Sequence, residues 1–568
     1  MSHLLFRALT VIGVLVIVGC GDDDGPPENR PTFAAVAMPD SHSADTAIAT
    51  LARGGNAVDA AVAAAFTLAV TFPEAGNLGG GGFMLVHLDE SNTFLDYRER
   101  APAAASRDMF LDEGGEPVGQ QSLVGHLAAG VPGTVAGLWA AHERYGTLRW
   151  SSLLDDAIRL ADEGFVVSPK LAAIIDSERD WFAGRTNFDR YFGDAAAGSI
   201  LRQPELAATL RRIAADGPQG FYAGETAAMI EREMAANDGL ITRDDLAAYQ
   251  PVWREPLDAA WRDFQLLSAP PPSSGGFAVV QLLKMKDLLA EDFADVAHNS
   301  ARYVHLVAEM EKRVFADRAE YFGDPDFVDV PIDKLISEDY IVARAAEVDA
   351  SAISTYDAVA PGLESPDTTH FSIVDRDGNA VANTYTLNTS FGSGVVVEGA
   401  GFLLNNEMDD FSIKPDVPNF YGVIGGSANA IAPGKRMLSS MTPTMLLKDG
   451  EPALVIGTPG GSTIFTSVFQ GIVNVVDFTM TPQEAAAASR FHHQLLPPNL
   501  ITDSPSRPLP DDTRTALEAL GYEIKPHPWE FGDLQIIQKT DDGYLAGSDP
   551  RGRGVSKVVS YPGVITDP

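Results

Sequence analysis

Residues 367–394 read DTTHFSIVDRDGNAVANTYTLNTSFGSG. Two runs rich in β-branched and aromatic residues flank Arg376-Asp377-Gly378, a turn signal with Gly378 in the left-handed position. A three-residue loop sets Asp375 against Asn379. The same register carries Thr368 opposite Thr386, with Asn388 just beyond. A two-residue loop slips the pairing by one and separates the two hydroxyls.

The pattern around this hairpin is that of alternating layers. After about residue 365 come short alternating strands: HFSIVD, AVANTYTL, PTMLLKD and PALVIGT. Helical periodicity returns at residues 465–476 and 482–489. Upstream, an amphipathic helix over residues 43–53 ends at Gly54-Gly55. A second, over residues 57–70, is apolar nearly all round and so predicted to be buried. GNLGGGGFMLVHL is a glycine loop entering a strand, and helical patterns dominate residues 131–346 with a proline-rich break at 269–276. There is no internal repeat of 20–50 residues. Helices flanking clustered strands imply stacked α and β layers.

The first twenty residues, MSHLLFRALTVIGVLVIVGC, hold one basic residue and an apolar run from Ala8 to Val18. That run is too short for a bilayer span of roughly 20 residues and fits a signal-peptide core. Ile17-Val18-Gly19-Cys20 resembles the lipobox of bacterial lipoproteins, in which the cysteine thiol is acylated and becomes the mature N-terminus. The following GDDDGPPENRP is acidic and rich in Gly and Pro, as expected of a disordered tether. Residues 1–19 are thus expected to be a lipoprotein signal peptide and residues 20–32 the tether, giving an exported chain lipid-anchored to a membrane of the cell envelope.

Composition excludes several classes. The 568 residues carry 41 Lys+Arg against 78 Asp+Glu, a net charge of −37. With no basic tract, nucleic-acid binding lacks its electrostatic footprint. A single cysteine excludes an internal disulfide framework and cysteine-rich metal sites. Gly434-Lys435-Arg436 lacks the upstream glycine and the Ser/Thr of a phosphate loop. There is no HExxH and no G-x-S-x-G elbow. His492-His493 are adjacent, point to different faces and have no evident third ligand, so they read as structural. GNLGGGGF leads into a strand where a phosphate cradle should lead into a helix, and reads as close backbone packing. No metal and no organic cofactor are expected.

Across nearly the whole mature chain the sequence resembles the gamma-glutamyltranspeptidases (glutathione hydrolases), a family of N-terminal-nucleophile hydrolases. TTHFSIVDRDGNAVANTYTLNTSFG is similar to the family signature. GGNAVDAAVA, GNLGGGGFM, HLAAGVPGTVAG, PPPSSGG, ADRAEYFGDPDFV, LLNNEMDDFS, KRMLSSMTPT, GTPGGS, SRFHHQLLP and GSDPR stand as family blocks in family order. The resemblance implies an α+β fold, the four-layer αββα sandwich, built jointly by two self-processed subunits. Residues 33–367 would form the large subunit and residues 368–568 the small, catalytic one.

It also implies roles. Thr368 would be the nucleophile, exposed when the Asp367–Thr368 bond breaks. The chemistry is coherent, because a freed α-amine with a pKa of about 7.7–8.0 is a local base for a weakly nucleophilic hydroxyl. Thr386 would orient that hydroxyl, and Gly460 and Gly461 would form the oxyanion hole. Arg98, in YRERAP, would take the substrate α-carboxylate as a fork-shaped donor, with Ser439 and Ser440 as hydroxyl donors. Asn388, Glu407 and Asp410 would take the α-ammonium. Arg100 is expected at the surface or in a salt bridge. Residues 414–426 resemble the family's lid loop, with Tyr421 over the nucleophile.

The implied activity is transfer of a γ-glutamyl group from glutathione or another γ-glutamyl compound, through a threonine ester, to water or to an amino acid or dipeptide. The rivals are a glutaryl-type acylase or capsule transpeptidase on the same scaffold, and an unprocessed lipoprotein that only binds peptides. Acylases of this kind generally lack the lid, and a glutaryl group has no ammonium for Glu407 and Asp410. Both points favour γ-glutamyl substrates.

Overall fold

The computed structural model describes residues 32–89, 91–354, 368–414, 426–495 and 497–561. Cys20, Asp367 and Tyr421, with most of the expected lid, therefore lie outside the described residues.

The hairpin has the three-residue loop. Strands Thr368–Val374 and Ala380–Thr386 pair antiparallel with Thr386 opposite Thr368. Asp375 N–H donates to the Asn379 carbonyl at 2.9 Å, and Gly378 has φ +87°. The Asp375 carboxylate accepts from the backbone N–H groups of Asp377, Asn379 and Ala57, each at 3.0 Å. It thereby ties the turn to the start of the buried helix Ala57–Thr71.

Two all-antiparallel sheets stack face to face. The seven-stranded sheet runs Val555–Tyr561, Thr32–Met38, Thr368–Val374, Ala380–Thr386, Gly81–Leu88, Ser91–Asp96 and Val252–Arg254. The six-stranded sheet runs Gly543–Ser548, Gln535–Thr540, Glu451–Gly457, Thr444–Lys448, Phe264–Ser268 and Leu257–Trp261. Strand alternation divides the core. In the first strand Ala34, Val36 and Met38 pack toward the helices Ser41–Ala52 and Ala57–Thr71. Ala35 and Ala37 pack with Ile456 and Ile536 of the other sheet, beyond which lie helices Gly275–Leu288 and Thr463–Val476. The result is the αββα sandwich. Residues before and after Thr368 contribute strands to both sheets, so neither segment closes a core alone.

Two expectations need correction. The helical run over residues 131–346 is interrupted by Val252–Arg254, Leu257–Trp261 and Phe264–Ser268. LDAAW alternates buried and exposed positions, but its Leu and Ala are good helix formers and masked the period of two. The hairpin strands do not alternate core and solvent either: all seven residues of each are buried. The polar positions His370, Ser372 and Thr384 face between the sheets and bond one another. The His370 ring contacts Thr384 Oγ1 at 2.7 Å and Ser372 Oγ at 3.1 Å. Burial pushes His370 down to about 3, so the network is neutral.

Candidate active site

The end of the hairpin places Thr368 in the sheet with one edge open. It is 8% exposed, and its Oγ1 donates to Thr386 Oγ1 at 3.5 Å. Thr386 Oγ1 also accepts the Asn388 backbone N–H at 2.8 Å. Asn388 has φ +80°, and its Nδ2 donates to the Asn406 carbonyl at 3.0 Å. Hydrogen bonds thus run from Thr368 to the turn that carries the acids.

That turn, Glu407–Asp410, is a 3₁₀ segment pinned by its two preceding asparagines. Asn405 Nδ2 donates to the carbonyls of Gly79 and Gly130 at 2.7 and 2.8 Å, and Asn406 Nδ2 to that of Leu123 at 2.9 Å. The glycine loop gives this chain room. A Cβ on Gly79 would lie 2.1 Å from the Leu403 carbonyl, and one on Gly80 would lie 2.0 Å from that of Thr386. The GNLGGGGF block is close backbone packing, and the strand Gly81–Leu88 follows it.

Arg98 meets the acids from the loop after Ser91–Asp96. Its Nη1 lies 2.8 Å from Glu407, its Nη2 pairs with Asp410, and Nη2 also donates to the Leu438 carbonyl at 3.1 Å. Three of the expected recognition residues therefore already hold one another. Glu99, which the sequence reading passed over, adds a third carboxyl 3.6 Å from Arg98. Flanked by two arginines in YRERAP, it carries no signal of burial in the sequence. In the structure it is fully buried, and among the described residues neither of its oxygens has a hydrogen-bond donor. Burial raises Glu99 to about 8 and raises Glu407 strongly, because one guanidinium, shared also with Asp410, cannot offset the desolvation of both. Arg100 stays outside this cluster: it is half-buried, forms no ion pair among the described residues, and its Nε donates to the Gly434 carbonyl at 2.7 Å.

Ser439 and Ser440 follow Leu438, the residue whose carbonyl Arg98 touches. Ser439 Oγ accepts the Met441 N–H at 3.1 Å, and Ser440 Oγ accepts from Arg318 at 3.2 Å. Gly460 (φ +138°) and Gly461 (φ +56°) form the turn into the helix Thr463–Val476. A Cβ on Gly460 would lie 2.3 Å from Thr463 Oγ1. Amide groups at a helix start lack intrahelical partners and favour an anion. Pro459, just before the pair, lines a cavity with Thr368.

No group of three or more His, Cys, Asp or Glu side chains that could hold a metal ion occurs among the described residues. His492 Nε2 meets Gln494 Oε1 at 3.0 Å, which also accepts Ser462 Oγ at 3.1 Å. The other ring nitrogen meets Thr466 Oγ1 at 3.0 Å. His493 Nδ1 accepts the Leu495 N–H at 2.9 Å. Burial lowers both rings to about 3. Through these bonds His492 braces the helix that follows the glycine turn.

The profile of the Gamma-glutamyltranspeptidase family matches residues 43–559. The chain belongs to that family. It is 56% identical to the glutathione hydrolase proenzyme of Pseudomonas aeruginosa over 98% of this chain and 100% of that one. It is 46% identical to the glutathione hydrolase proenzyme of Escherichia coli, over 91% and 90% of the two chains. Among solved structures, the cephalosporin acylase from Bacillus halodurans superposes with a TM-score of 0.80 at 27% identity, covering 95% of this chain and 99% of that one. Among the described residues, no helix is long and apolar enough to cross a membrane.

Proposed function

We propose that the chain is a γ-glutamyltransferase and glutathione hydrolase that cleaves itself before Thr368. Processing would yield a large subunit, residues 33–367, and a small subunit, residues 368–568, which remain associated as a heterodimer. Thr368 is the nucleophile, its freed α-amine the base, and Thr386 the residue that orients its hydroxyl. The observation that carries this reading is that Thr368 begins a buried strand within hydrogen-bond reach of Thr386, at one end of a bonded path to Arg98.

In the cycle Thr368 Oγ attacks the γ-carbonyl of glutathione or another γ-glutamyl compound, and the oxyanion is met at Gly460 and Gly461. The amine leaves as a γ-glutamyl ester forms, and water or the amine of an amino acid or dipeptide resolves it. Arg98, Ser439 and Ser440 hold the substrate carboxylate, while Asn388, Glu407 and Asp410 hold its ammonium, with Tyr421 closing over the donor. A substrate bearing both charges can exchange partners with an Arg98–Glu407–Asp410 cluster that is already paired. A glutaryl group would leave the two acids without a cationic partner, which disfavours the acylase reading. The apolar run before Cys20 and the acidic stretch after it support export and lipid attachment at Cys20, by residues 1–19 as signal peptide and 20–32 as tether.

An intact mass spectrum of protein lacking residues 1–20, beside Thr368→Ala, tests the reading. Two chains are expected from the wild type, the smaller beginning at Thr368, and one from the variant. A single uncut chain in both removes the free amine on which the mechanism depends.

A further inference from the structure

A cavity of about 230 Å³ reaches Thr368, and none of Arg98, Asn388, Glu407, Asp410, Ser439 or Ser440 lines it. It is a second approach to the same hydroxyl. Phe72, Ile174, Pro459 and Phe531 supply its apolar wall. Most of its charged groups are already engaged. Arg553 is ion-paired with Glu74, and Arg551 with Asp549 at 2.8 Å. Glu530 accepts from Ser504 Oγ at 2.8 Å and from Ser506 N–H at 2.5 Å.

Two opposite charges on the wall form no ion pair among the described residues: Asp533 and Lys170. Asp533 Oδ1 accepts only a neutral donor, Gln535 Nε2, at 3.1 Å. Lys170 is exposed, and its Nζ donates to the Arg551 carbonyl. The Asp533 carboxylate is aimed by its surroundings, because Gly552 packs flat against it. A Cβ there would lie 2.3 Å from Asp533 Oδ2. The preceding Gly532 faces the glycine turn, its backbone nitrogen 3.7 Å from where a Gly460 Cβ would stand. One unpaired anion, one unpaired cation and an apolar wall beside the reacting hydroxyl match a zwitterion with a side chain.

We infer that this cavity is the acceptor site, binding the amino group of an amino acid or dipeptide at Asp533, its carboxylate at Lys170, and its side chain against Phe72, Ile174 and Phe531. The inference rests on the γ-glutamyl ester of Thr368 proposed above. An acceptor arrives as an ammonium and must lose a proton before it can attack. Asp533 takes that proton, and the neutral amine adds to the ester carbonyl. As the tetrahedral adduct collapses, the bond from carbon to Thr368 Oγ breaks, the second amine proton passes to that oxygen through the Thr368 amine, and the amide is left. Asp533 returns its proton to water. Burial and the neighbouring Asp549 raise Asp533 to about 7, against the pull of Lys170, Arg490 and Arg553, so near neutrality it can both accept and release a proton.

The test uses processed enzyme with γ-glutamyl-p-nitroanilide and glycylglycine, counting γ-glutamylglycylglycine against free glutamate. This ratio belongs to each γ-glutamyl-enzyme molecule and does not depend on how much protein has folded. Asp533→Asn is expected to lower it by about tenfold, the worth of one charged hydrogen bond. A ratio within about twofold of wild type overturns the assignment. Lys170→Ala, at an exposed position, is expected to cut the preference for glycylglycine over its C-terminal amide by roughly fivefold; an unchanged preference overturns the carboxylate half. Release of p-nitroaniline by wild type without acceptor reports on the donor reading alone. No release overturns that reading and this inference with it, whereas normal release with both ratios unchanged overturns only the cavity.

Discussion

The Arg98 end of the site and the Gly460 end are built from different materials. At Arg98 one buried guanidinium serves Glu99, Glu407 and Asp410, and burial has raised two of those carboxyls. At Gly460 the supporting groups are neutral: Thr463 Oγ1 donates to the Gly460 carbonyl at 2.7 Å, and Ser462, Gln494, His492 and Thr466 bond in a chain beside it. A cluster of buried charges can trade internal partners for those of a charged ligand, because both arrangements keep each charge paired. A neutral hydrogen-bonded turn has nothing to trade, and fixes amide groups in advance of the charge that develops. On the proposed function the first end would select by exchange and the second would work by rigidity.

The largest expected effect is at the exchange end. Arg98→Ala leaves three carboxyls without their cation, so it should cost about 3–5 kcal/mol of stability. Donor kcat/KM should fall by about 10³-fold or more with γ-glutamyl-p-nitroanilide as substrate, carried chiefly by KM. A loss under about tenfold would mean that charge at this end does not select the donor. Next, Gly460→Ala forces a Cβ against Thr463 Oγ1 in a region of φ that side chains avoid. It should lower kcat by about 10²–10³-fold and leave donor KM nearly unchanged. An effect confined to KM would erase the distinction between the two ends.

His492→Ala breaks the neutral brace and should cost about 1–3 kcal/mol in urea unfolding. The ring itself stays uncharged at working pH, since burial holds it near 3. Its folded pKa lies below the unfolded one, so its contribution is complete above about pH 6.5 and declines on acidification toward 3. The variant should therefore lose part of the acid sensitivity of wild type, and an unchanged slope below about pH 6.5 would contradict this. Glu99→Gln is expected to be the mildest change. Burial lifts this group above its unfolded value, so in wild type stability is lost as pH rises from the ordinary carboxyl range to about 8. Glutamine removes that loss, and melting temperatures should show the variant gaining on wild type at the alkaline end. A gain at the acid end would reverse the assigned direction.

Much of the site was legible because it is local. The register that pairs Thr368 with Thr386 follows from loop length and a period of two, both written in residues 367–394. The glycine loop was legible as packing because it runs into a strand. Glu99 was not, because nothing in a single sequence separates a buried carboxyl between two arginines from a surface one. The strands within residues 252–268 were missed because Leu and Ala satisfy a helix pattern as well as a pleated one. The full burial of both hairpin strands was likewise hidden, since His370, Ser372 and Thr384 satisfy one another between sheets in a way that alternation reads as solvent exposure.

By itself the sequence determined the layered α+β class, the family, the hairpin and the residue types available for chemistry. These depend on short-range periodicity, turn chemistry and motif identity. Tertiary structure decided which charges are paired and which are not. It joined Arg98 to Glu407 and Asp410, buried Glu99 beside them, and left Asp533 and Lys170 without an ion pair among the described residues on one wall beside Thr368. Pairing is set by distances and dielectric between segments hundreds of residues apart, and those exist only once the two sheets have closed on each other.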